Sequence, residues 1–333
     1  MFGVFISAEA SAGTDRKLLR SYVSGRVLEE LCHDLIWGIE LREETVRFLA
    51  CPFCGSRLVF DGIRANNRFV RGLFRCINSH VYQVKEEIGL LKDPKFSAKE
   101  FEWKVDVADE KRYNEIRKQY DSYLGSDQKT ATQRMLERLI ELVISSCTTS
   151  DNVVLDVATG MGTFILPLAE KSARDTLVVG TDVDEKPLRG TMGKAKTAEF
   201  YHKMSLIVTD AKRLCVKRNS LSTISSNFGF DNIPQTTVAL RESARALRPE
   251  GKAVFSSLWL EENSESMRIA EEHGVSEIAD DARLRKSLQK AGLIVDFVEE
   301  IYSGIWPYNP MDLLPVEGDQ YSYVVVQARK SKH

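Results

Sequence analysis

The sequence lacks any run of about 18 apolar residues, which is the length that a helix needs to span a bilayer. Its N-terminal apolar stretch, Met1 to Ile6, is short and has no basic residues ahead of it, unlike a secretory signal. It also lacks an excess of either charge, because 46 lysines and arginines face 48 aspartates and glutamates, for a net charge of −2. We therefore expect a cytoplasmic protein with no membrane partner and no overall attraction to nucleic acid.

Cysteine occurs at only six of 333 positions, and half of these fall in a pattern typical of metal ligands rather than of disulfides. Cys51 and Cys54 form a C-x2-C pair, and Cys76 and His80 follow as a C-x3-H pair. Four soft or borderline donors suit one tetrahedral Zn²⁺, and with all four positions filled the ion is expected to be structural. The alternative is four unconnected buried residues.

A glycine-containing turn follows an apolar strand that ends near Asp156. Gly160 and Gly162 can adopt backbone conformations closed to residues with a Cβ, and the helix after them begins with free N–H groups. The turn lacks the third glycine of G-x-G-x-x-G, so it does not favour a dinucleotide. Asp182 follows at the end of a second strand, at the spacing where an acid reaches ribose hydroxyls.

Taken with later segments, this turn resembles motif I (D-x-G-x-G-x-G) of the class I S-adenosylmethionine (SAM) methyltransferases. Asp156, Gly160 and Gly162 match the motif, and Ala158 replaces its first glycine, as also occurs in the ubiquinone and menaquinone C-methyltransferases. Four further segments match the family in order: Gly180 to Asp184, Val208 to Ala211, Asn227 to Ile233, and Arg245 to Gly251.

The resemblance implies that SAM binds at the carboxyl ends of these strands. It assigns cofactor contacts to Asp156, Ala158, Thr159, Gly160, Gly162, Asp182, Val183, Asp210, Ala211 and Asn227. In the family, the first acid and the glycines hold the methionine portion, Asp182 the ribose, and Asp210 with Ala211 the adenine. Motif IV reads S-N-F-G instead of N-P-P-Y, which disfavours exocyclic amines as acceptors. Asn227 is the candidate catalytic residue, as a group that orients the substrate, and a turn residue is the alternative.

Short apolar runs alternate with helical stretches, a pattern typical of a parallel sheet flanked by helices. Strands are predicted at 152–156, 177–182, 206–209, 221–225, 252–257, 294–298 and 321–328, and a helix at 235–247. The resemblance implies a Rossmann-like class I methyltransferase fold of the α/β class. Its sheet has seven mostly parallel strands with helices on both faces, and the last strand is antiparallel, beside the sixth.

We expect four regions along the chain. These are a mainly helical segment (1–46), a zinc ribbon (47–95), a helical linker or lid (96–148) and the SAM-dependent methyltransferase domain (149–333). The ribbon resembles that of the bacterial 23S rRNA guanine-N1 methyltransferases, which also begin with C-P-x-C, close with C-x3-H and continue into a class I domain. In the linker Tyr113, Tyr120 or Tyr123 could touch the sulfonium or the substrate, and the aromatic loop 306–310 is expected near the acceptor.

An arginine-rich strip in the ribbon indicates a partner. Its arginines are Arg64, Arg68, Arg71 and Arg75, interleaved with Phe69 and Phe74. Such a strip could hold RNA phosphates and stack on bases, and a solvated hairpin face is the alternative. The leading hypothesis is therefore a methyltransferase for RNA, most plausibly an rRNA base. The others are a methyltransferase for a small molecule, of the quinone type or another metabolite, and a SAM-binding partner protein without catalysis.

Overall fold

A computed structural model describes residues 41–65, 68–92, 110–147 and 152–332 of the chain. The predicted helical segment 1–46 lies mostly outside these ranges, and its described end is a two-residue strand followed by a 3-10 helix, Glu43–Arg47. None of the helices in the described ranges has both the length and the apolar character needed to cross a membrane.

Twelve strands form one continuous sheet in the described part of the chain. They are β1 (Leu41–Arg42), β2 (Leu58–Ala65), β3 (Arg68–Cys76), β4 (Val81–Lys85), β5 (Ile88–Leu90), β6 (Val153–Val157), β7 (Leu177–Asp182), β8 (Met204–Val208), β9 (Leu221–Asn227), β10 (Leu247–Leu260), β11 (Leu293–Ile305) and β12 (Gln320–Lys330). Their order is β1-β3-β4-β5-β8-β7-β6-β9-β10-β12-β11, and β2 pairs with β3.

The segment from β8 to β11 is the predicted seven-stranded sheet. β12 lies between β10 and β11 and is antiparallel to both, as expected, while β8, β7, β6, β9 and β10 run parallel. Every residue of β6 is buried, because helices cover both faces of this parallel strand. The class I methyltransferase fold is thus confirmed.

Seven α-helices in the described ranges surround this sheet. They are α1 (Glu110–Tyr123), α2 (Ser126–Ser146), α3 (Ile165–Lys171), α4 (Glu185–Ala195), α5 (Thr236–Ala246), α6 (Glu265–Glu272) and α7 (Asp281–Ala291). The buried residues of α2, α3 and α4 pack in one core with Val154, and those of α5 and α7 pack in another with Leu155. Neighbouring strand residues point to opposite faces, so the helices cover both faces of the sheet, as predicted.

The segment predicted as a ribbon is continuous with the sheet through β5. β5 pairs in parallel with β8, with Ile88 opposite Leu206 and Leu90 opposite Val208. The backbone N–H of Leu91 then donates to the carbonyl of Val208 at 2.9 Å. The ribbon therefore extends the sheet of the catalytic domain at its β8 edge.

The aromatic residues of the ribbon are its core. Phe60, Phe69 and Phe74 are buried, with ring centroids 4.0–5.6 Å apart. The guanidinium of Arg64 lies over the rings of Phe60 and Phe69, at 5.6 and 5.2 Å from the centroids. Phe69 and Phe74, which are interleaved with the arginines in the sequence, thus belong to this small core.

Candidate functional site

The turn after β6 takes a left-handed path at three positions. Ala158, Gly160 and Gly162 have φ of +54°, +55° and +81°. A Cβ on Gly162 would lie 2.9 Å from the side chain of Thr191, whereas a Cβ on Gly160 would meet nothing within 4 Å. Gly162 is therefore required by packing, and Gly160 leaves the side of the turn open for the close approach of a ligand.

The side chain of Asp156 stabilises this turn through hydrogen bonds. Its carboxylate accepts hydrogen bonds from the hydroxyls of Thr159 (2.8 Å, to Oδ2) and Ser225 (2.9 Å, to Oδ1), and the residue is 2% exposed. Burial raises the pKa of Asp156 to about 7, against the opposing effect of the two hydroxyl donors. Thr159 also accepts from the backbone N–H of Thr181 at 3.1 Å, which fastens the turn to β7.

Asp182 lies at the end of β7, against the open side of the turn. Its Oδ2 accepts from the backbone N–H of Gly160 at 2.9 Å, and its Oδ1 accepts from that of Asp184 at 3.0 Å. Burial raises the pKa of Asp182, while these backbone donors favour the charged form. Asp184 is the N-cap of α4, with its carboxylate accepting from the N–H of Lys186.

Asp210 follows β8 at the same edge of the sheet. Its Oδ1 accepts from the backbone N–H of Lys212 at 2.8 Å, and its Oδ2 is buried without a hydrogen-bond partner. A buried carboxylate oxygen with no donor is costly unless a ligand supplies one, and an exocyclic amino group is such a donor. Ala211 packs against the core, and the carbonyl of Val183 accepts from Lys92.

Asn227 ends β9, and its side-chain oxygen accepts from the hydroxyl of Ser256 at 2.9 Å, which orients the amide. Phe228 then adopts φ +54°, and its N–H donates to the same hydroxyl. Asp231 in this segment has Oδ1 bonded to Ser257 and Oδ2 buried without a partner, and burial raises its pKa to about 6. The sequence motif contains Asp231, but nothing local marks it as buried.

Aromatic side chains form a buried cluster beside this edge. Tyr323 lies 5.3 Å from Phe228, 5.1 Å from Tyr321 and 6.1 Å from Tyr302 between ring centroids, and Trp306 contacts Tyr321 edge-on at 4.9 Å. The hydroxyl of Tyr321 accepts from Gln128 of α2 at 2.7 Å. The carboxyl ends of the parallel strands therefore face an apolar, aromatic region.

The loop 306–310 contacts α1. The rings of Tyr123 and Tyr308 lie 6.3 Å apart, edge to face. Two residues beyond this loop, Asp312 accepts from the Nδ2 of Asn309 at 2.8 Å and interacts with Tyr120. Burial raises the pKa of Asp312 to about 6. Asp312 was not predicted as a site residue, because the sequence shows only a polar residue beside an aromatic loop. The side chain of Tyr113 lies outside the described residues.

The predicted metal ligands come together in the ribbon. One donor atom each from Cys51, Cys54, Cys76 and His80 all lie within 4.8 Å of one another. The Sγ atoms of Cys54 and Cys76 are 3.8 Å apart, and His80 Nδ1 lies 3.5 Å from Cys51 Sγ and 3.3 Å from Cys76 Sγ. A tetrahedral ion with Zn–S bonds of about 2.3 Å requires Sγ–Sγ separations of ~3.8 Å, so the donor set fits zinc.

Comparison with known proteins decides the class of this domain. Residues 107–269, with the turn, Asp182, Asp210 and Asn227, match the ubiE/COQ5 methyltransferase family. This part of the chain has the class I methyltransferase fold and is similar to that family. The match begins in the helical region ahead of β6. It includes the strand ends that carry Asp182, Asp210 and Asn227, and it does not include the cluster of cysteines and His80.

Curated relatives resemble a part of this methyltransferase domain. The ubiquinone/menaquinone biosynthesis C-methyltransferase of Rickettsia typhi is 32% identical over 104 residues, which is 30% of this chain and 42% of the relative. That of Rickettsia felis is 33% identical over 105 residues, with the same coverage. The chain thus spans less than half the length of these relatives.

Among solved structures, the geranyl diphosphate C-methyltransferase of Streptomyces coelicolor is similar at 12% identity with a TM-score of 0.47. The similarity covers 60% of this chain and 81% of that one.

Proposed function

We propose that this protein transfers the methyl group of SAM to a small-molecule acceptor. The observation that carries the proposal is the edge formed by Gly160, Asp182 and Asp210, in a region that matches the ubiE/COQ5 methyltransferases. The Gly160 turn is open on its ligand side, Asp182 has its carboxylate at that turn, and Asp210 has an unpaired buried oxygen. These features fit the methionine, ribose and adenine portions of the cofactor.

The cofactor brings its own leaving group, because a sulfonium readily gives up a methyl group. The protein's part is to hold the acceptor in line and to exclude water. Asn227, oriented by Ser256, and the aromatic side chains around Tyr323 lie where they could do this. The relatives are named as quinone-biosynthesis C-methyltransferases, and the aromatic surroundings here favour a flat, apolar acceptor of that general kind.

The proposal is tested with zinc-loaded full-length protein. We expect calorimetry to detect S-adenosylhomocysteine binding with a Kd of roughly micromolar order. Incubation with methyl-labelled SAM should then transfer label to an organic-extractable metabolite fraction. Label in any cellular fraction excludes a non-catalytic SAM-binding protein. Binding without transfer would support that alternative, and the absence of binding would overturn the proposal.

RNA is the second candidate acceptor, because Arg71 and Arg75 are exposed on one face of β3. Val59 and Ile63, their partners on β2, are exposed as well. Arg64 already lies against Phe60 and Phe69, and the side chain of Arg68 is outside the described residues. If this face binds RNA, replacing Arg71 and Arg75 by Ala should weaken binding and reduce the salt dependence by about 0.7–0.9 per lost phosphate contact. Arg174→Ala, an exposed arginine elsewhere, is the control.

For the metal cluster we propose a structural zinc ion. The spacing of the donor atoms supports it, and so does the place of the cluster at the open end of the β2–β3 hairpin, where an ion would join the two ligand pairs. A zinc content of one ion per chain, lost when Cys76 is replaced by Ser, is the expected result of elemental analysis.

A further inference from the structure

The metal cluster lies beside the segment that carries Asp210. This segment, residues 209–217, follows β8 and is called the adenine loop below, because its first residues are those that the proposed function assigns to adenine. Residues 48–50, just ahead of the first metal ligand, run alongside it. The N–H of Ala50 donates to the carbonyl of Cys215 at 2.8 Å, and the N–H of Lys217 donates to that of Phe48 at 2.7 Å.

These backbone contacts are buried. Leu49 forms an isolated bridge with Val216, and both residues are 1% exposed or less. Ala50 and Cys215 are equally enclosed, at 3% and 0%. Buried backbone hydrogen bonds are costly to break, so the chain that enters the metal site and the adenine loop are held as one unit.

A second contact starts from the metal ligands themselves. The ring of Phe53, between the two cysteines of the first pair, lies 4.5 Å from the ring of His80. The guanidinium of Arg213 lies over the Phe53 ring, 4.9 Å from its centroid, and donates a hydrogen bond to the Phe53 carbonyl at 2.6 Å. A continuous series of contacts therefore leads from a metal ligand to the adenine loop.

Arg213 is also the last residue of the turn that begins with Asp210. Its backbone N–H donates to the carbonyl of Asp210 at 2.9 Å, and the N–H of Lys212 donates to the Asp210 carboxylate at 2.8 Å. The turn that ends at Arg213 thus orients the Asp210 carboxylate, whose Oδ2 has no partner. A group that fixes Phe53 and Arg213 also fixes the proposed adenine contact.

Phe53 itself has little else to hold it, because its side chain is 43% exposed and it sits in a turn. The four donors belong to two segments more than 20 residues apart in sequence. An ion bound to all four would hold the turn in place. Without an ion, the Cys51–Cys54 turn gains conformational freedom, and its contact with Arg213 must be formed at an entropic cost when the cofactor binds.

We propose that the metal centre is a clamp on the adenine loop, so that occupancy of the Cys51, Cys54, Cys76 and His80 site sets the affinity for the adenosyl cofactor. The inference rests on the proposed function, because it requires that the cofactor binds at Asp210. It assigns the metal centre a role within the cofactor site, in place of the substrate-recognition role expected from the sequence.

The test is S-adenosylhomocysteine titration of full-length protein with zinc bound and after removal of zinc by a chelator. We expect removal to raise Kd by about tenfold or more, since ordering a loop on binding costs affinity of this order. The same comparison in Asp210→Ala gives a double-mutant cycle. If the ion acts through Asp210, zinc removal should change Kd by less than about threefold in that variant.

A second variant covers the case in which the zinc-free protein fails to fold. Arg213→Ala leaves all four metal donors in place, so we expect full zinc content and a Kd raised by about three- to tenfold. Arg174→Ala is the control, an exposed arginine away from the adenine loop, and should leave both values unchanged.

The outcomes separate the two proposals. If the zinc-loaded protein does not bind S-adenosylhomocysteine, the proposed function fails and the clamp fails with it. If the loaded protein binds, but neither zinc removal nor Arg213→Ala changes Kd, the proposed function stands and the clamp is overturned. If zinc removal weakens binding equally in wild type and Asp210→Ala, the ion acts by another route and the clamp is likewise overturned.

Discussion

Replacement of Asp182 by Ala should weaken S-adenosylhomocysteine binding by about 10- to 100-fold, because hydrogen bonds to a charged group are worth about 1.5–3 kcal/mol each. The variant removes the proposed acceptor for the ribose hydroxyls. It also removes the acceptor for the N–H of Gly160, so that the turn which holds the cofactor loses its support. The measurement is isothermal titration of zinc-loaded protein.

Asp184→Ala is the matched control for this variant. Asp184 is two residues away and exposed, and it caps α4 through the N–H of Lys186. Loss of this cap should lower the free energy of unfolding by about 1 kcal/mol and leave the ligand Kd close to that of wild type. If Asp184→Ala and Asp182→Ala weaken binding alike, helix stability rather than ribose contact explains the effect, and the assigned role of Asp182 is wrong.

Asp156→Asn should change how stability depends on pH. Burial raises the pKa of Asp156 to about 7, so this group favours folding fully below pH ~4, where the unfolded chain also holds the proton. As pH rises from about 4 to about 7, the unfolded carboxyl ionises first and stability is lost, by up to about 1.4 kcal/mol per pH unit. An amide does not titrate, and it is nearly isosteric with the acid that accepts from Thr159 and Ser225.

The measurement is urea unfolding of wild type and variant at several values between pH 5 and 8. We expect the free energy of unfolding of wild type to fall more steeply than that of Asp156→Asn up to about pH 7, and the two curves to run parallel above it. Asp175→Asn, at an exposed position, is the control and should follow wild type. Parallel curves for all three proteins across the whole range would show that Asp156 is ionised in the folded state.

The methyltransferase fold could be predicted from the sequence because its strands and helices have local sequence patterns. The strand over Leu177–Asp182 was predicted with its observed bounds, since a buried parallel strand is a short apolar run between turn residues. The helix predicted at 235–247 begins at Thr236 and ends at Ala246, in agreement with the proline before it and the glycine beyond it. β10 and β11 extend well past their predicted ends, because their pairing with β12 carries both strands beyond the apolar core.

The relation between ribbon and catalytic domain was not accessible in this way. β5 has three residues, and its partner β8 lies more than 110 residues later in the chain. No local sequence pattern therefore predicts their pairing. The same holds for Arg213, whose contact with Phe53 joins residues 160 positions apart in the sequence. The clustering of Cys51, Cys54, Cys76 and His80 was predicted, because each of the two pairs has a short spacing in the sequence, but the contacts that these pairs make elsewhere depend on the tertiary structure.

The pairing of β5 with β8 also matters for how this protein tolerates truncation. Without residues 41–92 the backbone amides and carbonyls along one side of Met204–Val208 would be unpaired at a sheet border. Such a border recruits strands from other molecules, so a fragment cut to the methyltransferase region alone would be prone to self-association. The N-terminal strands therefore occupy an edge of the sheet that would otherwise be open to pairing with another molecule.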